Sequence, residues 1–277
     1  MEKQYTRETL LTTAAELQRE LGSEDLCIID VRPAEDYAQG HIPGATHFDL
    51  FGLSLIDTAE APLNAFMFMI HHVLELRGVN ENKKVVFYED NSGMRAARGL
   101  WFLEYYGHPN VQMLDGGFRA WKAAGAPVST AGSPPKTASF RIAASREVLA
   151  TANDVLQSLN KNDIAILDTR SRDEYLGTHA RAARGGAIPG AIHIEWTDNL
   201  TPDGKFKAND ELSVMYRQAG VTPDKEVICY CQGGYRAAHS YVALRLLGFP
   251  RVRNYIGSWK EWGDRVDLPL EVPTDKK

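Results

Sequence analysis

A long internal repeat is the feature that most limits how this chain can fold. Residues 85–97 align with residues 226–238 at a constant offset of 141 positions, and that offset continues without a gap to the pair Trp121 and Trp262. Upstream, residues 30–37 align with residues 168–175 at an offset of 138, and the second copy then carries eight extra residues before Pro189. A repeat this long indicates two tandem domains rather than a solenoid.

The composition agrees with two folded domains of ordinary size. The chain has 277 residues, of which 44% are hydrophobic and 24% are charged, as is typical of globular proteins. We expect one domain over residues 8–129, a linker rich in Pro, Ser, Thr and Gly over residues 130–145, and a second domain over residues 146–277. Residues 1–21 have the pattern of an amphipathic helix and not that of a signal peptide.

Charge, apolar runs and cysteine content argue against several classes of protein. A net charge of −5 provides no basic footprint for nucleic acid, and no apolar run approaches the length of a membrane span. Three unevenly spaced cysteines do not make a disulfide framework, which favours a reducing cytoplasm. His71 and His72 have no partner at zinc-ligand spacing, so we expect neither a metal nor a cofactor.

Each copy is expected to be a small α/β unit. In the second copy, apolar runs predict strands at residues 164–168, 191–194, 226–230 and 252–256. Helical spacing predicts helices at residues 172–176, 212–219 and 235–247, and another around Trp259. Strands that alternate with helices indicate a mostly parallel sheet with helices on both faces, and ligands of such sheets bind beyond the carboxyl ends of the strands.

Cys231 follows one of these predicted strands and precedes a predicted helix. Gly233 and Gly234 permit a tight turn between them, so backbone N–H groups can converge on an anion. The helix N-terminus and the charge of Arg236 both favour an ionised thiol. Cys231 is therefore the predicted nucleophile, and a small buried hydrophobic residue is the alternative. The repeat pairs Cys231 with Asp90, so the first copy is expected to lack the nucleophile.

The motifs of this repeat resemble those of the tandem-domain rhodaneses, the thiosulfate and mercaptopyruvate sulfurtransferases. The resemblance covers nearly the whole chain and includes Asp-x-Arg with a following Tyr in both copies, Gly-His-Ile-Pro-Gly-Ala at residues 40–45, and the stretches at residues 115–121 and 231–236. It implies two rhodanese-like domains, of which the first is catalytically silent with the acidic residue Asp90 at the cysteine position. It also implies an active site where the second loop faces the first domain.

The chemistry that this resemblance implies is a double displacement. The Cys231 thiolate attacks the outer sulfur of a donor, expels sulfite or pyruvate, and passes the sulfur from a persulfide to a thiophilic acceptor such as cyanide or a thiol. The persulfide is expected to be held by N–H groups of the loop, those of Gln232, Gly233, Gly234, Tyr235 and Arg236.

Loop length and loop composition separate the alternatives for the substrate. Cysteine phosphatases of a related fold have five residues between Cys and Arg, whereas this loop has four, so a phosphatase or an arsenate reductase is less favoured. Mercaptopyruvate enzymes carry a hydroxyl residue in the loop, whereas this loop has Gln232 and neither Ser nor Thr, which favours thiosulfate. The family's substrate-binding arginine falls near Arg184, where a guanidinium could bind a sulfonate, and Arg181 is the competing residue.

The other polar candidates are expected to be structural. Cys27 and Cys229 lie in apolar runs and are assigned to the core, although Cys229 stands close enough to Cys231 to be a resolving thiol. We expect hydrogen-bonding roles for two histidines and structural ion pairs at two strand ends: His41, His193, Asp30 with Arg32, and Asp168 with Arg170.

Two classes of function remain open. The first is a cytoplasmic enzyme that moves sulfane sulfur from a small-molecule donor to a small-molecule acceptor or to a thiol carrier protein. The second is a non-catalytic rhodanese-like module that binds a partner or carries a persulfide to it. Cys231 and Arg236 favour the enzyme, and no nucleic-acid or membrane partner is expected.

Overall fold

The computed structural model describes residues 5–134 and 137–274. The chain divides into two compact units that are each discontinuous in sequence. The first comprises the residues up to Leu53, Met67–Ser145 and Leu200–Phe206, and the second comprises Ser54–Phe66, Arg146–Asn199 and the residues from Lys207 onward. Domain limits placed at residues 129 and 146 do not capture the two short segments that lie in the other half of the sequence.

The first unit is built around a parallel five-stranded sheet. Its strands are Leu11–Thr12 (β1), Leu26–Asp30 (β2), Thr46–His47 (β3), Lys84–Tyr88 (β4) and Val111–Leu114 (β5), in the order β1-β5-β4-β2-β3. The helices of this half of the chain are Arg7–Leu10 (α1), Ala14–Glu20 (α2), Ala34–Gln39 (α3), Glu60–Glu75 (α4), Met94–Tyr105 (α5) and Gly117–Ala123 (α6).

The second unit repeats this architecture. Its strands are Leu149–Ala150 (β6), Ile164–Asp168 (β7), Ile192–His193 (β8), Glu226–Tyr230 (β9) and Val252–Tyr255 (β10), in the order β6-β10-β9-β7-β8 and again parallel throughout. Its helices are Ala152–Ser158 (α7), Arg172–Tyr175 (α8), Asn209–Gln218 (α9), Tyr235–Leu246 (α10) and Ser258–Trp262 (α11), with 3-10 turns at Arg146–Val148 and Trp196–Asn199. The predicted α/β class with two parallel sheets is confirmed.

The central strands explain why the apolar runs are unbroken. β4 and β9 are hydrogen-bonded on both sides and buried on both faces, which is where parallel sheets carry continuous apolar sequence. The repeated tryptophans fill equivalent places: Trp121 and Trp262 are both fully buried, and each indole N–H donates to a proline carbonyl, at 2.8 and 2.7 Å respectively. Each unit therefore has its own core.

The N-terminal segment differs from the single helix predicted over residues 1–21. Residues 1–4 lie outside the described residues, and beyond them β1 separates α1 from α2 and pairs with β5. Thr6 and Thr13 each begin a helix, because each side-chain oxygen accepts the N–H of the residue three positions later in a capping box. Two helix starts this close together interrupt the predicted helix.

The segment predicted as a linker is packed onto the first unit where it is described. Residues 135 and 136 of this segment lie outside the described residues. Phe140 is buried, and its carbonyl accepts a hydrogen bond from Nε2 of His71 at 3.0 Å. The N–H of Ala143 donates to the carbonyl of Tyr106 at 3.0 Å. These contacts give residues 137–145 a fixed place beside α4 and α5.

Strand register corrects the predicted pairing of Asp90 with Cys231. In the first unit Asp30 lies beside Tyr88, and in the second unit Asp168 lies beside Tyr230. Each tyrosine hydroxyl donates to the neighbouring aspartate, at 2.6 and 2.5 Å respectively. The two tyrosines are therefore equivalent, and so are the residues that follow them. Glu89, and not Asp90, stands where the second unit has its cysteine.

The first loop is consequently one residue longer than the second. Five residues separate Glu89 from Arg95, whereas four separate Cys231 from Arg236. The helices α5 and α10 keep the offset of 141, but the strands β4 and β9 are offset by 142. An alignment without a gap hides this difference, because the extra residue falls within a loop that has almost no sequence identity.

Candidate active site

Cys231 lies at the carboxyl end of β9, in the turn that leads into α10. Its side chain is only 1% exposed. Gly234, which immediately precedes α10, has a φ of 82°, and a Cβ there would lie 3.0 Å from the carbonyl oxygen of Ile256. Glycine is therefore required at this point of the turn, since other residues rarely adopt this backbone conformation. The turn holds Cys231 at the predicted end of the sheet.

Backbone amides converge on the sulfur of Cys231. The N–H groups of Gly233, Gly234 and Ala237 donate hydrogen bonds to Sγ. The carbonyls of the first two loop residues accept N–H donors from α11, at 2.8 and 2.9 Å. These two carbonyls point away from the sulfur. Because C=O and N–H point in opposite directions across a trans peptide, the N–H groups of the same peptides point toward it. The result is a cradle for an anion.

Ser258 fixes the start of the loop. Its Oγ accepts the N–H of Cys231 at 3.0 Å and donates to the carbonyl of Tyr255 at 2.7 Å. The residue is fully buried and has a φ of 53°, an uncommon value for a residue with a side chain. Ser258 could not be predicted from the sequence, because nothing in a Gly-Ser-Trp stretch indicates a contact with a loop so far upstream.

Arg236 is held by the carboxylate of Glu174, which was not among the predicted site residues. Two nitrogens of Arg236 donate to the two oxygens of Glu174 at 2.5 and 2.9 Å, in a bidentate pair. Glu174 lies in α8, is 3% exposed, and also accepts the N–H and hydroxyl of Ser171 at 3.2 and 3.1 Å. Burial would raise the pKa of Glu174, but Arg236 and Ser171 together lower it to about 2. Its one signal in the sequence is an acidic residue before Tyr in both copies.

The surroundings of Cys231 favour the thiolate. Burial raises the pKa of a thiol, but the charge of Arg236 and the three amide donors outweigh it, so the pKa of Cys231 lies below its ordinary value. The other two cysteines show what burial does without such donors: it raises the pKa of Cys27 to about 11 and that of Cys229 further. Among the three, Cys231 is the one suited to nucleophilic attack.

Arg184 is committed to the backbone. Its guanidinium donates to the carbonyls of Trp262, Gly263, Arg265 and Leu268, three of them at 2.8 to 3.2 Å. These contacts use four of its five N–H donors and tie down the chain that follows α11. Such a side chain serves as a structural clamp, which speaks against the predicted contact between Arg184 and the donor.

Arg181 is placed differently from Arg184. Its side chain is 50% exposed, and its Nη1 lies 3.8 Å from Oε1 of Glu174, the same oxygen that holds Arg236. Its carbonyl accepts the Nε2 of Gln232 at 2.9 Å, so the segment around residue 181 is joined directly to the cysteine loop. Of the two competing arginines, Arg181 is the one with an accessible charge beside the cradle.

The remaining loop residues have separate places. The Oε1 of Gln232 is buried without a hydrogen-bond partner among the described residues, while its Nε2 is used on the backbone. Tyr235 is the first residue of α10 and is 7% exposed. Of the amides expected to face the sulfur, those of Gly233 and Gly234 donate to it, and the third donor is Ala237, which was not among the predicted residues.

The residues predicted to be structural are confirmed in those roles. Each aspartate at a strand end pairs with the arginine two positions later at 2.6 Å, and all four side chains are buried. The ring nitrogens of His41 contact the carbonyls of Tyr37 and Ala131, and Nε2 of His193 contacts the carbonyl of Arg170. The ion pairs are Asp30 with Arg32 and Asp168 with Arg170.

The loop of the first unit carries its own carboxylate in place of a thiolate. Oε1 of Glu89 accepts the N–H groups of Arg95 and Ala96 at 2.6 and 3.1 Å, at the start of α5. A Cβ on Gly93 would lie 2.4 Å from the Glu89 carboxyl carbon, so that glycine leaves the space which the carboxylate fills. Asp90, by contrast, is 57% exposed and lies 3.7 Å from Arg32. The first loop therefore encloses a carboxyl group that belongs to the chain itself.

Replacing Glu89 with Gln is expected to stabilise the first unit much more at pH 8 than at pH 5. Burial raises the pKa of Glu89 to about 7 despite its two N–H donors. A carboxyl with a raised pKa contributes stability that is present below its unfolded pKa and is lost as the pH rises through the folded value. At about 1.4 kcal/mol per pKa unit, the expected gain at pH 8 is up to roughly 3 kcal/mol.

Urea unfolding at the two pH values would measure this difference. Asp90→Asn is the matched control, since that carboxylate is mostly exposed, and it should leave the pH dependence unchanged. An equal gain for Glu89→Gln at pH 5 and pH 8 would show that the carboxyl is not protonated in the fold.

The part of the chain that the structure describes provides neither a metal-binding cluster nor a membrane-spanning helix. Among those residues no group of three or more His, Cys, Asp or Glu side chains could hold a metal ion. None of the described helices is both long enough and apolar enough to span a bilayer.

Comparison with known proteins agrees with this site. The Rhodanese-like domain family matches residues 13–124 and again residues 151–265. The thiosulfate sulfurtransferases of Azotobacter vinelandii and Pseudomonas aeruginosa are each 34% identical to this chain over 95% of its length and 97% of theirs. The sulfur carrier protein TtuD of Thermus thermophilus is 33% identical over 96% of this chain and 98% of its own.

Solved structures share the fold at lower identity. The anaerobic ergothioneine biosynthesis enzyme of Chlorobium limicola, in complex with trimethyl histidine, has a TM-score of 0.86 and 24% identity, covering 99% of this chain and 72% of that one. A complex of EanB with ergothioneine has a TM-score of 0.86 at 23% identity and covers 100% of this chain and 72% of that one. With the double family match and the relatives at 34% identity, the chain belongs to the rhodanese family, as a sulfurtransferase with two rhodanese-like domains.

Proposed function

We propose that the protein is a thiosulfate sulfurtransferase that works through a persulfide on Cys231. The observation that carries this proposal is the cradle itself: a buried thiol with a lowered pKa, three amide donors on Sγ, and a fixed guanidinium beside it. The names of the relatives from Azotobacter vinelandii and Pseudomonas aeruginosa support thiosulfate as the donor.

Sulfur transfer then proceeds in two displacements. The Cys231 thiolate attacks the outer sulfur of thiosulfate, a new S–S bond forms, and the old one breaks with its electron pair leaving on sulfite. Cyanide or a thiolate next attacks the outer sulfur of the persulfide, which returns the electron pair of that bond to Cys231. Neither step needs an external oxidant or reductant, and the amide donors stabilise the sulfur anion in each state without reorganising.

The accessible charge of Arg181 is proposed to bind the donor. Glu174 neutralises Arg236 through the bidentate pair, so Arg236 supports the thiolate but offers little charge to a second anion. Arg181 touches the same carboxylate only at 3.8 Å and is half exposed, which leaves its guanidinium available for a sulfonate. Arg181 therefore replaces Arg184 as the proposed donor contact.

Arg181→Ala is expected to raise KM for thiosulfate about three- to tenfold with a smaller change in kcat, because it removes a ground-state contact to a dianion. The wild type should prefer thiosulfate over mercaptopyruvate by kcat/KM, and thiosulfate turnover should fall with added salt as the attraction is screened. Steady-state assays of both donors, run side by side, would measure these effects.

Arg184→Ala is the matched control for that experiment. It should leave KM within about twofold and instead lower stability by about 2–4 kcal/mol, since the carbonyls that it binds lose their donors. Higher kcat/KM with mercaptopyruvate than with thiosulfate would reverse the donor assignment. A KM effect confined to Arg184→Ala would return the donor contact to that residue.

A protein thiol is a second candidate for the acceptor of the persulfide sulfur. The relative from Thermus thermophilus is named a sulfur carrier protein, which favours passage of the persulfide sulfur to another protein thiol.

We propose the cytoplasm as the compartment, since the chemistry requires Cys231 as a thiolate and a reducing environment keeps thiols out of disulfides.

A further inference from the structure

A short segment from the first half of the sequence belongs to the second unit and borders its loop. The segment, which we name the strap, comprises residues 54–58. Thr58 anchors one end: its N–H and hydroxyl donate to Glu261 at 2.8 and 2.9 Å, and its hydroxyl oxygen accepts the N–H of Ala152 at 2.9 Å. Leu55 is 7% exposed and Glu261 is 1% exposed, so the strap is fixed by buried contacts.

The other end of the strap brings a hydroxyl to the cysteine loop. The Oγ of Ser54 lies 3.0 Å from the place where a Cβ on Gly233 would be, and its own Cβ lies 3.6 Å from that place. No other heavy atom comes within 4 Å of that point, apart from those of the neighbouring residues in the chain. Gly233 is one of the three amide donors to Cys231 Sγ. The Ser54 hydroxyl therefore lies next to the cradle, on the side of Gly233 where no side chain intervenes.

The Ser54 hydroxyl is available for a ligand. Its side chain is partly exposed, and it makes no hydrogen bond to any of the residues that the structure describes. The sulfur of Cys231 takes hydrogen bonds from three backbone amides. The loop from Gln232 to Arg236 contains no Ser or Thr of its own. A hydroxyl supplied from the strap would complement that loop.

We propose that Ser54 contacts the substrate by donating a hydrogen bond to the outer sulfur of the Cys231 persulfide. The inference rests on the proposed function, since it requires the persulfide. The outer sulfur of the persulfide lies about 2.0 Å beyond Sγ. The three amides donate to Sγ, so the charge of the outer sulfur has to be stabilised by other donors. A hydrogen bond to the charged form favours ionisation. Ser54 therefore acts on the loaded enzyme and not on the resting thiol.

The test compares the two states of the enzyme in Ser54→Ala and Ser54→Thr. Each protein is alkylated with iodoacetamide across a pH series, first without donor and then after loading with thiosulfate, with intact mass reporting the added sulfur. Ser54→Ala should leave the midpoint of the unloaded enzyme unchanged and raise that of the loaded enzyme by about 0.5 unit or more, while kcat/KM for thiosulfate falls about fivefold. Ser54→Thr keeps the hydroxyl and should behave as the wild type does.

Ser213→Ala is the matched control, because Ser213 is also partly exposed in the second unit but lies on α9. It should match the wild type in both states. Equal midpoints for loaded wild type and loaded Ser54→Ala would overturn the role of Ser54. If the wild type gains no sulfur from thiosulfate or from mercaptopyruvate, the persulfide itself is refuted, and that result differs from a normal loading with an unchanged midpoint.

Discussion

Replacing Cys231 with Ser is expected to abolish sulfur transfer, with a loss of at least about a thousandfold in kcat/KM. A serine hydroxyl has a far higher pKa than a thiol. The amides and Arg236, which lower the pKa of Cys231 from its ordinary value, would therefore leave the hydroxyl protonated. The variant should fold normally, since the change is nearly isosteric. Steady-state transfer from thiosulfate to cyanide would measure the loss.

The other cysteines supply the matched controls. Cys229 lies on β9, two residues before the nucleophile, and Cys27 lies on β2 of the first unit; burial raises the pKa of both thiols, and the control variants are Cys229→Ala and Cys27→Ala. Both variants should retain most of the activity, and intact mass after donor treatment should show one added sulfur. An added sulfur that persists in Cys231→Ser would contradict the assignment of the nucleophile.

Replacing Arg236 with Ala should produce the second-largest effect. The nearby positive charge lowers the pKa of Cys231, so its loss should raise the midpoint of iodoacetamide alkylation by about one unit or more and lower kcat/KM roughly 10- to 100-fold. The same change leaves Glu174 buried without its bidentate partner, which is expected to cost about 3–5 kcal/mol of stability.

The double variant Arg236→Ala with Glu174→Gln separates these two effects. Neutralising Glu174 removes the unpaired buried charge and should restore much of the stability, while the alkylation midpoint stays high because the cation is still absent. Glu174→Gln alone should not raise the midpoint. An alkylation profile unchanged by Arg236→Ala would show that the backbone amides and the helix N-terminus ionise the thiol by themselves.

The sequence was sufficient to predict the parts of the fold that depend on local pattern. β7 and β9 begin and end at the predicted residues, because their apolar runs are bounded by polar residues and by the two-glycine turn. The position of Cys231 at a helix N-terminus follows from the same local signals. Helix ends differed by a residue or a few, as for α9, which begins at Asn209 and not at Leu212.

Contacts between distant parts of the chain could not be predicted in this way. Glu174 reaches Arg236 across 62 positions, and Ser54 reaches Gly233 from the other half of the sequence. Arg184 lies where a donor contact was expected, but its neighbours in space are the carbonyls after α11. A motif fixes the type of residue at a position, whereas the partner of a long side chain depends on how the elements pack.

The loop of the first unit differs from the second in ring size as well as in its acidic residue. Five residues separate Glu89 from Arg95, so a cysteine introduced at position 89 would create the Cys-x5-Arg spacing that suits a tetrahedral phosphate. A cysteine introduced at position 90 would be exposed, as the Asp90 side chain beside Arg32 is now. No single substitution therefore turns the first half into a second sulfur site. A sulfur site like that of the second unit would need a deletion in this loop together with a new thiol.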